Sequence, residues 1–368
     1  MKKYNVGIIG CTGMVGQRFA TLLENHPWFN VTALAASSRS AGKTYKSVVE
    51  KRWAMKTPIP TSMADMIILD AVADMDEVVS KVDFVFCAVD MKKDEIRALE
   101  EAYAKKECPV VSNNSANRGV EDVPMVVPEI NADHIEIINA QRKRLGTKRG
   151  FIAVKSNCSL QSYVPAIHPL MDLGVTKVLA CTYQAISGAG KTFETYPDIL
   201  DNVIPYIGGE EEKSEQEPMK LWGHIEGDKI VNATTPSITA QCFRVPVSDG
   251  HTAAVFVSME KRSPRRKPPA VGQSSAARHR SSSCRAHRSS SCTTLRKQTV
   301  RRQNSTVNWS MVWPFPSADC ARIPNMTTNS FAFPTTRCAA QQAAVFCLQS
   351  CSQRRAILTD TVQEVFFR

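Results

Sequence analysis

The 368-residue chain has no apolar run approaching the roughly 18 to 20 residues that cross a bilayer, and its first residues lack the layout of a signal peptide. Those absences argue against a membrane protein or a secreted one, and a cytoplasmic location is expected. Twelve cysteines are present, yet no two are spaced as CxxC. In a chain of this size that favours reduced thiols over a disulfide framework, and no metal site is expected. Acidic residues are scarce in one region only. Residues 263–368 hold 16 Lys or Arg against Asp319, Asp360 and Glu364, whereas the first 262 residues hold 30 basic and 32 acidic residues. The net charge of +11 is therefore a property of the last third and does not describe the rest.

The first part has a regular pattern. Residues 4–9 are apolar and strand-like, and Gly10-Cys11-Thr12-Gly13-Met14-Val15-Gly16 opens an amphipathic stretch running to Leu23. Further strands are predicted at 31–36, 67–69, 83–89 and 109–112, with a helix over 92–105. Strand and helix in alternation predict a parallel, doubly wound Rossmann-type sheet over residues 1–133. After 133 the pattern changes to long strands at 177–185 and 253–259, which predicts a more antiparallel α+β second domain over 134–261. The stretch between them, with Gly208-Gly209 and Glu210 to Glu212, reads as charged loop.

Glycines at 10, 13 and 16 after a strand and before a helix suit a phosphate-cradling turn, because they let the backbone approach a pyrophosphate and leave helix N–H groups to bind it. Their GxxGxxG spacing is a variant of the dinucleotide fingerprint, and a plain structural turn is the other reading. The second strand ends without the acid that would take a ribose 2′-hydroxyl. Ser38, Arg39 and Ser40 follow instead, and a cation with hydroxyls suits a 2′-phosphate, favouring NADP over NAD.

Cys158 stands out among the thiols. It lies in Ser156-Asn157-Cys158-Ser159, after the apolar run 151–154 and before a helix-like stretch over 160–171. A thiol at such a turn gains from the positive end of the helix dipole, which favours the thiolate. Cys11, Cys87, Cys108, Cys181 and Cys242 lie mostly in or beside apolar runs and read as small core residues. Gln184 ends a strand, and Ser187-Gly188-Ala189-Gly190 reads as a second backbone-donor turn. Arg244 and His251 frame a loop kept irregular by Pro246 and Gly250. Each alone is an ordinary loop or surface residue; beside a thiol, a histidine can exchange its proton and an arginine can grip a carboxylate.

These motifs resemble aspartate-semialdehyde dehydrogenases of the branch found in fungi, archaea and some bacteria. The resemblance runs through GCTGMVGQRF, SSRSAGK, VVSNNSANR, VPEIN, KSNCS, YQAISGAG, EEEKSEQEPMK and RVPVSDGHTA, and covers residues 1 to about 261. It implies a cysteine nucleophile at Cys158 that forms a thioester from L-4-aspartyl phosphate, and reduction of that thioester by NADPH to the semialdehyde on the route to lysine, threonine and methionine. By the same resemblance His251 is the acid/base and Gln184 orients the reacting group. Arg244 binds the substrate carboxylate, Glu217 its amino group, and Lys220 with Arg118 the phosphate. Asn157 beside the nucleophile helps position substrate or oxyanion. Thr12, Gly13, Met14 and Val15 contact the cofactor, as do Ser187 and Gly188. A malonyl-CoA-type thioester reductase is the alternative within the same branch. Glu217 and Lys220 also read as an i,i+3 surface ion pair.

From about residue 262 the resemblance stops and the periodicity fails. A disordered basic tail, a nucleic-acid-binding arm and a reading-frame error compete for this segment. Taking the codons from their third base, Arg337 to Ala344 becomes compatible with a family-like TLRGAAGG, and other stretches match in the same offset and order. The tail therefore reads as a frameshift product, and no nucleic-acid partner is expected. A homo-oligomer is expected of the family but is placed in doubt for this chain. Without the family's later strands and helix, apolar faces around Tyr183 and Phe256 should lack partners, and the chain as written is expected to be insoluble or inactive. Sequencing the locus around codon 262 should reveal an inserted or deleted base; an intact single frame encoding the same tail overturns the reading.

Overall fold

The computed structural model describes residues 3–260 and three short strands beyond them, whose backbone alone is considered. The remainder of the tail, and with it most of the frameshift reading, lies outside the described residues. Strands are numbered in chain order. A six-stranded sheet contains β1 (Tyr4–Ile9), β2 (Phe29–Ala36), β3 (Ile68–Asp70), β4 (Phe84–Cys87), β5 (Val110–Ser112) and β6 (Ile152–Val154). Its spatial order is β3-β2-β1-β4-β5-β6, and every pair is parallel. The predicted doubly wound sheet is thus observed. Its strands are buried on both faces, as parallel strands between two helical layers must be. In β4, Val85 and Cys87 face one core and Phe84 and Phe86 the other. Phe86 stacks on Phe19 of the helix Met14–Leu23, with ring centroids 4.9 Å apart. That helix buries Gly16, Gln17, Phe19, Ala20 and Leu23, the three-to-four spacing of one helical face.

The second sheet is mixed, with two antiparallel pairings and one parallel, in keeping with the more antiparallel second domain that the sequence predicts. β7 (Val175–Gln184) pairs in parallel with β10 (Ser237–Arg244) and antiparallel with β11 (His251–Met259). A small hairpin of β8 (His224–Glu226) and β9 (Lys229–Val231) lies apart from it. β11 is paired on its other edge, antiparallel, by β14 (Ser330–Arg337). The tail therefore supplies a covering strand where the sequence reading expected none. The other two tail strands, β12 (Thr293–Thr294) and β13 (Val312–Trp313), pair only with each other. Tyr183 lies on the outer face of the sheet, stacked on Phe243 and 40% exposed.

The inner face sets up the chemistry. Burial alternates strictly along β11, with His251, Ala253, Val255, Val257 and Met259 facing inward. The same face carries Ala180, Thr182 and Gln184 from β7, and Ala240, Cys242 and Arg244 from β10. Gln184 is the register partner of Arg244, and β11 starts at the end of the sheet where β7 and β10 finish. Three inward side chains, Gln184, Arg244 and His251, thus gather at one end. The apolar core beneath is continuous with the first sheet, running from Val85 and Val154 through Leu160 and Tyr163 to Val178 and Val255.

Two local expectations fail for clear reasons. Residues 160–171 do not form one helix. They break into 3-10 turns at Leu160–Ser162 and His168–Leu173 around a single helical turn at Val164–Ile167. Pro165 and Pro169 each lack the N–H that would continue a helix. The charged stretch after Gly209 is not loop but a helix, Glu210–Leu221. Its internal Pro218 leaves the Ser214 carbonyl without its helical donor, and the buried Tyr163 hydroxyl donates to it at 3.0 Å. No helix among the described residues is long and apolar enough to cross a membrane.

The turn after β1 has no room for side chains. A Cβ on Gly16 would sit 2.2 Å from the Gly10 carbonyl oxygen, whereas one on Gly119 would meet nothing within 4 Å. Gly16→Ala should therefore cost about 1–3 kcal/mol, read as a lowered denaturant midpoint, while Gly119→Ala should leave the midpoint within about 0.5 kcal/mol of the parent. Equal midpoints for the two variants would show that the turn yields.

Candidate active site

β6 delivers Lys155-Ser156-Asn157-Cys158 from the carboxyl end of the first sheet to the gathered end of the second. Cys158 Sγ lies 3.2 Å from His251 Nε2. The Ala185 N–H donates to His251 Nδ1 at 3.0 Å, so the neutral ring carries its proton on Nε2 and donates it to the sulfur. A loop from Ala185 crosses this pair closely. A Cβ on Gly188 would come within 2.9 Å of His251 Cε1 and 3.0 Å of the Arg244 guanidinium, so only glycine fits. Arg18 holds the loop before His251 through an ion pair to Asp249 at 3.0 Å.

Cys158 is half-buried. Burial pushes its thiol up, but the electrostatics of the His251 ring, the hydrogen bond from it and the ammonium of Lys155 outweigh that, against opposition from Glu210, and bring it down to about 6. Cys11 and Cys108 serve as internal controls: burial pushes both thiols up to about 12. A helix dipole supplies about 0.3–1 kcal/mol at an exposed terminus, and only one helical turn follows Cys158. The dipole argument from sequence is therefore replaced by His251 and Lys155. Of the five thiols read as core, Cys11, Cys87, Cys108 and Cys242 are buried and Cys181 is half-buried.

Around the sulfur the side chains form one network. The Asn157 N–H donates to Glu217 Oε2 at 2.6 Å, and Arg118 pairs with Glu217 Oε1 at 2.9 Å. Asn157 and Gln184 both turn their amide nitrogens to Glu210, at 3.0 and 3.2 Å. Arg244 donates to the Ala185 carbonyl at 2.8 Å. The loop presenting Arg118 is fixed by buried Glu100, which accepts from Asn114 and Asn117. The Nε of Arg118 is buried and finds no acceptor among the described residues.

Lys220 departs from its expected place. Its Nζ is buried and donates to the carbonyls of Arg118, Val120 and Val123 at 2.6 to 2.8 Å. All three ammonium protons are used, so Lys220 holds the Arg118 loop and has no proton left for a phosphate. The i,i+3 pair with Glu217 is absent as well, since Glu217 turns to Arg118. The Ser187–Gly190 turn also differs from its reading as a donor pocket. The N–H groups of Ser187, Gly188 and Gly190 are already bonded to Ser248, Ala185 and Ser187 carbonyls. Sequence reasoning missed two residues. Lys155 is buried and donates to the Ser156 carbonyl at 2.7 Å; its one signal was a lysine directly after an apolar strand. Glu210 was hidden in a run of acids taken for loop.

At the other end of the cleft, Gly13 caps the helix Met14–Leu23 without any side-chain bond, and its Cβ position lies 3.8 Å from the nearest atom. Met14, Val15 and Gly16 open that helix, and their N–H groups have no partner earlier in it. Thr12 is half-buried beside them. Ser38 and Arg39 are exposed where β2 ends, with Ser40 buried beneath and Lys43 donating to the Arg39 carbonyl at 2.9 Å. An anion-binding cradle with adjacent cations is thus present.

A family model described as the semialdehyde dehydrogenase NAD binding domain matches residues 5–138, and one described as its dimerisation domain matches 167–283. The aspartate-semialdehyde dehydrogenase of Archaeoglobus fulgidus is 43% identical over 259 residues, 70% of this chain and 73% of its own. The chain belongs to the aspartate-semialdehyde dehydrogenase family. The Schizosaccharomyces pombe member is 39% identical over 262 residues, 70% of this chain and 71% of its own. The solved Candida albicans enzyme with NADP superposes with a TM-score of 0.76 at 29% identity, over 94% of this chain and 97% of that one. The Vibrio cholerae enzyme II shares the fold, with a TM-score of 0.67 at 22% identity, over the same shares of the two chains. This family consists of oxidoreductases, and the dimerisation-domain match extends past the boundary that the motifs set near 261.

Alkylation of Cys158 by iodoacetamide should follow a single inflection near pH 6. His251→Ala should move it above the ordinary thiol value of about 8.5, and Lys155→Met should raise it by about one unit. An unchanged inflection in His251→Ala would remove that residue from the account.

Proposed function

We propose that this chain catalyses the NADPH-dependent reductive dephosphorylation of L-4-aspartyl phosphate to L-aspartate 4-semialdehyde, through a thioester on Cys158. The observation that carries the reading is the 3.2 Å contact between Cys158 Sγ and a His251 whose tautomer is held by Ala185. The thiolate attacks the acyl carbon; the C–S bond forms, the bond to the phosphate oxygen breaks, and phosphate leaves with that electron pair. NADPH, when bound, supplies the hydride that reduces the thioester carbonyl. The His251 Nε2–H would donate a hydrogen bond to the resulting oxyanion and keep its proton, and collapse of that oxyanion would break the C–S bond, return the electron pair to sulfur as the thiolate and release the aldehyde. Arg244 faces the substrate carboxylate and Glu217 its ammonium. Arg118 Nε is the donor that meets the phosphate.

The cofactor groove fits NADP. The free first-turn N–H groups of Met14, Val15 and Gly16 would hold the pyrophosphate beside Thr12 and Gly13. Ser38, Arg39 and Ser40 would meet the 2′-phosphate, and Ser187 and Gly188 lie over the catalytic pair. A homo-oligomer is the assembly that the dimerisation-domain match supports, and a cytoplasmic location is the setting we infer for it.

Purified full-length chain, given aspartate semialdehyde, NADP⁺ and inorganic phosphate, should produce reduced nicotinamide, and Cys158→Ser should abolish this. Replacing phosphate with coenzyme A should leave little product; equal or faster reduction with coenzyme A would favour the thioester-reductase alternative. No product with either acceptor from soluble, folded chain would overturn the activity and uphold the expectation of an inactive frameshifted protein.

A further inference from the structure

We propose that Glu210 is a positioning residue for this reaction, fixing the orientation of the two amide side chains, Asn157 and Gln184, that flank the nucleophile. The inference rests on the reading of Cys158 as that nucleophile. Glu210 is only 9% exposed. Both of its oxygens accept from Asn157 Nδ2 at 3.0 Å, Oε2 also accepts from Gln184 Nε2 at 3.2 Å, and Oε1 from Lys213 Nζ at 2.8 Å. An ionised carboxylate can only accept, so each amide must turn its NH₂ end toward it. The opposite ends are thereby assigned. Asn157 Oδ1 takes the N–H and the hydroxyl of Ser159, at 2.8 and 2.7 Å, and so shapes the turn that holds Cys158. Gln184, with Nε2 also donating to Thr182 at 3.3 Å, keeps Oε1 as its acceptor end for the reacting group. One carboxylate therefore sets both flanks of the sulfur.

A helix-capping role alone does not account for this arrangement. Glu210, Glu211 and Glu212 all open the same helix, and any of them would serve its dipole. Glu211 spends its carboxylate on the Cys242 N–H, on the neighbouring strand. Only Glu210 meets the amides beside Cys158. The placement works against the nucleophile electrostatically, because Glu210 raises the Cys158 thiol that His251 and Lys155 lower. Lys213 offsets part of that charge, and Arg244 faces both Glu210 and Cys158. Burial pushes the Glu210 carboxyl up, but Lys213 and the two amides bring it below the ordinary carboxylate value, so it stays ionised at neutral pH.

The test separates orientation from charge. In the full-length chain, Glu210→Gln should shift the Cys158 alkylation inflection to lower pH, since an opposing charge is gone, and should cut plateau kcat at least tenfold, since one acceptor oxygen is replaced by an NH₂ that faces the Lys213 and Asn157 donors and disturbs their placement. Lys213→Met should shift the inflection the other way, leaving Glu210 unscreened, with plateau kcat within about twofold. Should Glu210→Gln fail to fold by circular dichroism, Glu210→Asp serves in its place. It keeps the charge and withdraws it by one methylene, so the inflection should stay near the parent's while kcat falls. Parent-like kcat in the Glu210 variants overturns the proposal, as does an inflection in Glu210→Gln that is unmoved or raised. If iodoacetamide labels another cysteine in the parent, or Cys158→Ser keeps turnover, the nucleophile reading fails instead, and Glu210 with it.

Discussion

A negative charge on a half-buried sulfur is the constraint around which the site is organised. Water is largely excluded there, so the charge must be met by protein donors, and the chain's own buried thiols show what happens without them. At Cys11 and Cys108, Arg52 and Arg149 oppose burial too weakly, and both are held in the thiol form. Cys158 has a ring N–H at 3.2 Å and an ammonium three residues before it in sequence. The His251 N–H and the Lys155 ammonium together outweigh burial at Cys158, whereas a single helical turn supplies too little to do so. Thus the tautomer of His251 matters more than any helix terminus, and the backbone N–H of Ala185 fixes it.

That requirement dictates how the two sheets meet. His251, Gln184 and Arg244 come from three adjacent strands of the second sheet, while Lys155, Asn157 and Cys158 leave the last strand of the first. Period-two alternation places the polar residues on the inward face, at its end, with Ala180, Ala240 and Ala253 further along it. Small residues there keep the sheet close to Tyr163 and Leu160, and the continuous core prevents the sheets from drifting apart. Gly188 supplies the remaining clearance. A side chain there would collide with both His251 and Arg244, so the loop can cover the pair only as glycine.

The parallel sheet, the glycine turn and the candidacy of Cys158, Gln184, Arg244 and His251, which the structure brings together, are legible in the sequence, because buried runs and short motifs encode them locally. The environment of each is not. Lys220 and Arg118 were paired as phosphate ligands because both are cations on matching motifs, and nothing in one dimension shows that three carbonyls surround the Lys220 ammonium. The helix after Cys158 was inferred from apolar spacing although Pro165 and Pro169 were in view; the prolines should have outweighed the periodicity. Glu210 and Lys155 escaped because a charge is usually a surface feature, and burial of a charge becomes visible only once its partners are placed. The tail was read as foreign to the fold, yet β14 pairs along the length of β11. Backbone hydrogen bonding has little regard for side-chain identity, and an open edge will take a strand of almost any composition.

Under the proposed function, the same network would let an amino-acid substrate bind without rebuilding the site. Both oxygens of Glu217 are engaged before substrate arrives, one by Arg118 and one by the Asn157 N–H. Each carboxylate oxygen has two lone pairs, so an ammonium can add to Glu217 without displacing either partner. Arg118 is in the complementary state, with one nitrogen spent on Glu217, one on the Asn113 carbonyl and Nε unspent. An incoming acyl phosphate with an ammonium group would therefore extend an existing chain of charges, its cation on Glu217 and its anion on Arg118. Those bonds already hold both groups in their binding rotamers, so little side-chain entropy remains to be lost on binding. Caging of Lys220 serves the same end, because the three carbonyls it binds belong to the loop that carries Arg118. Its charge is spent on rigidity, and that rigidity fixes the distance between Arg118 and the nucleophile.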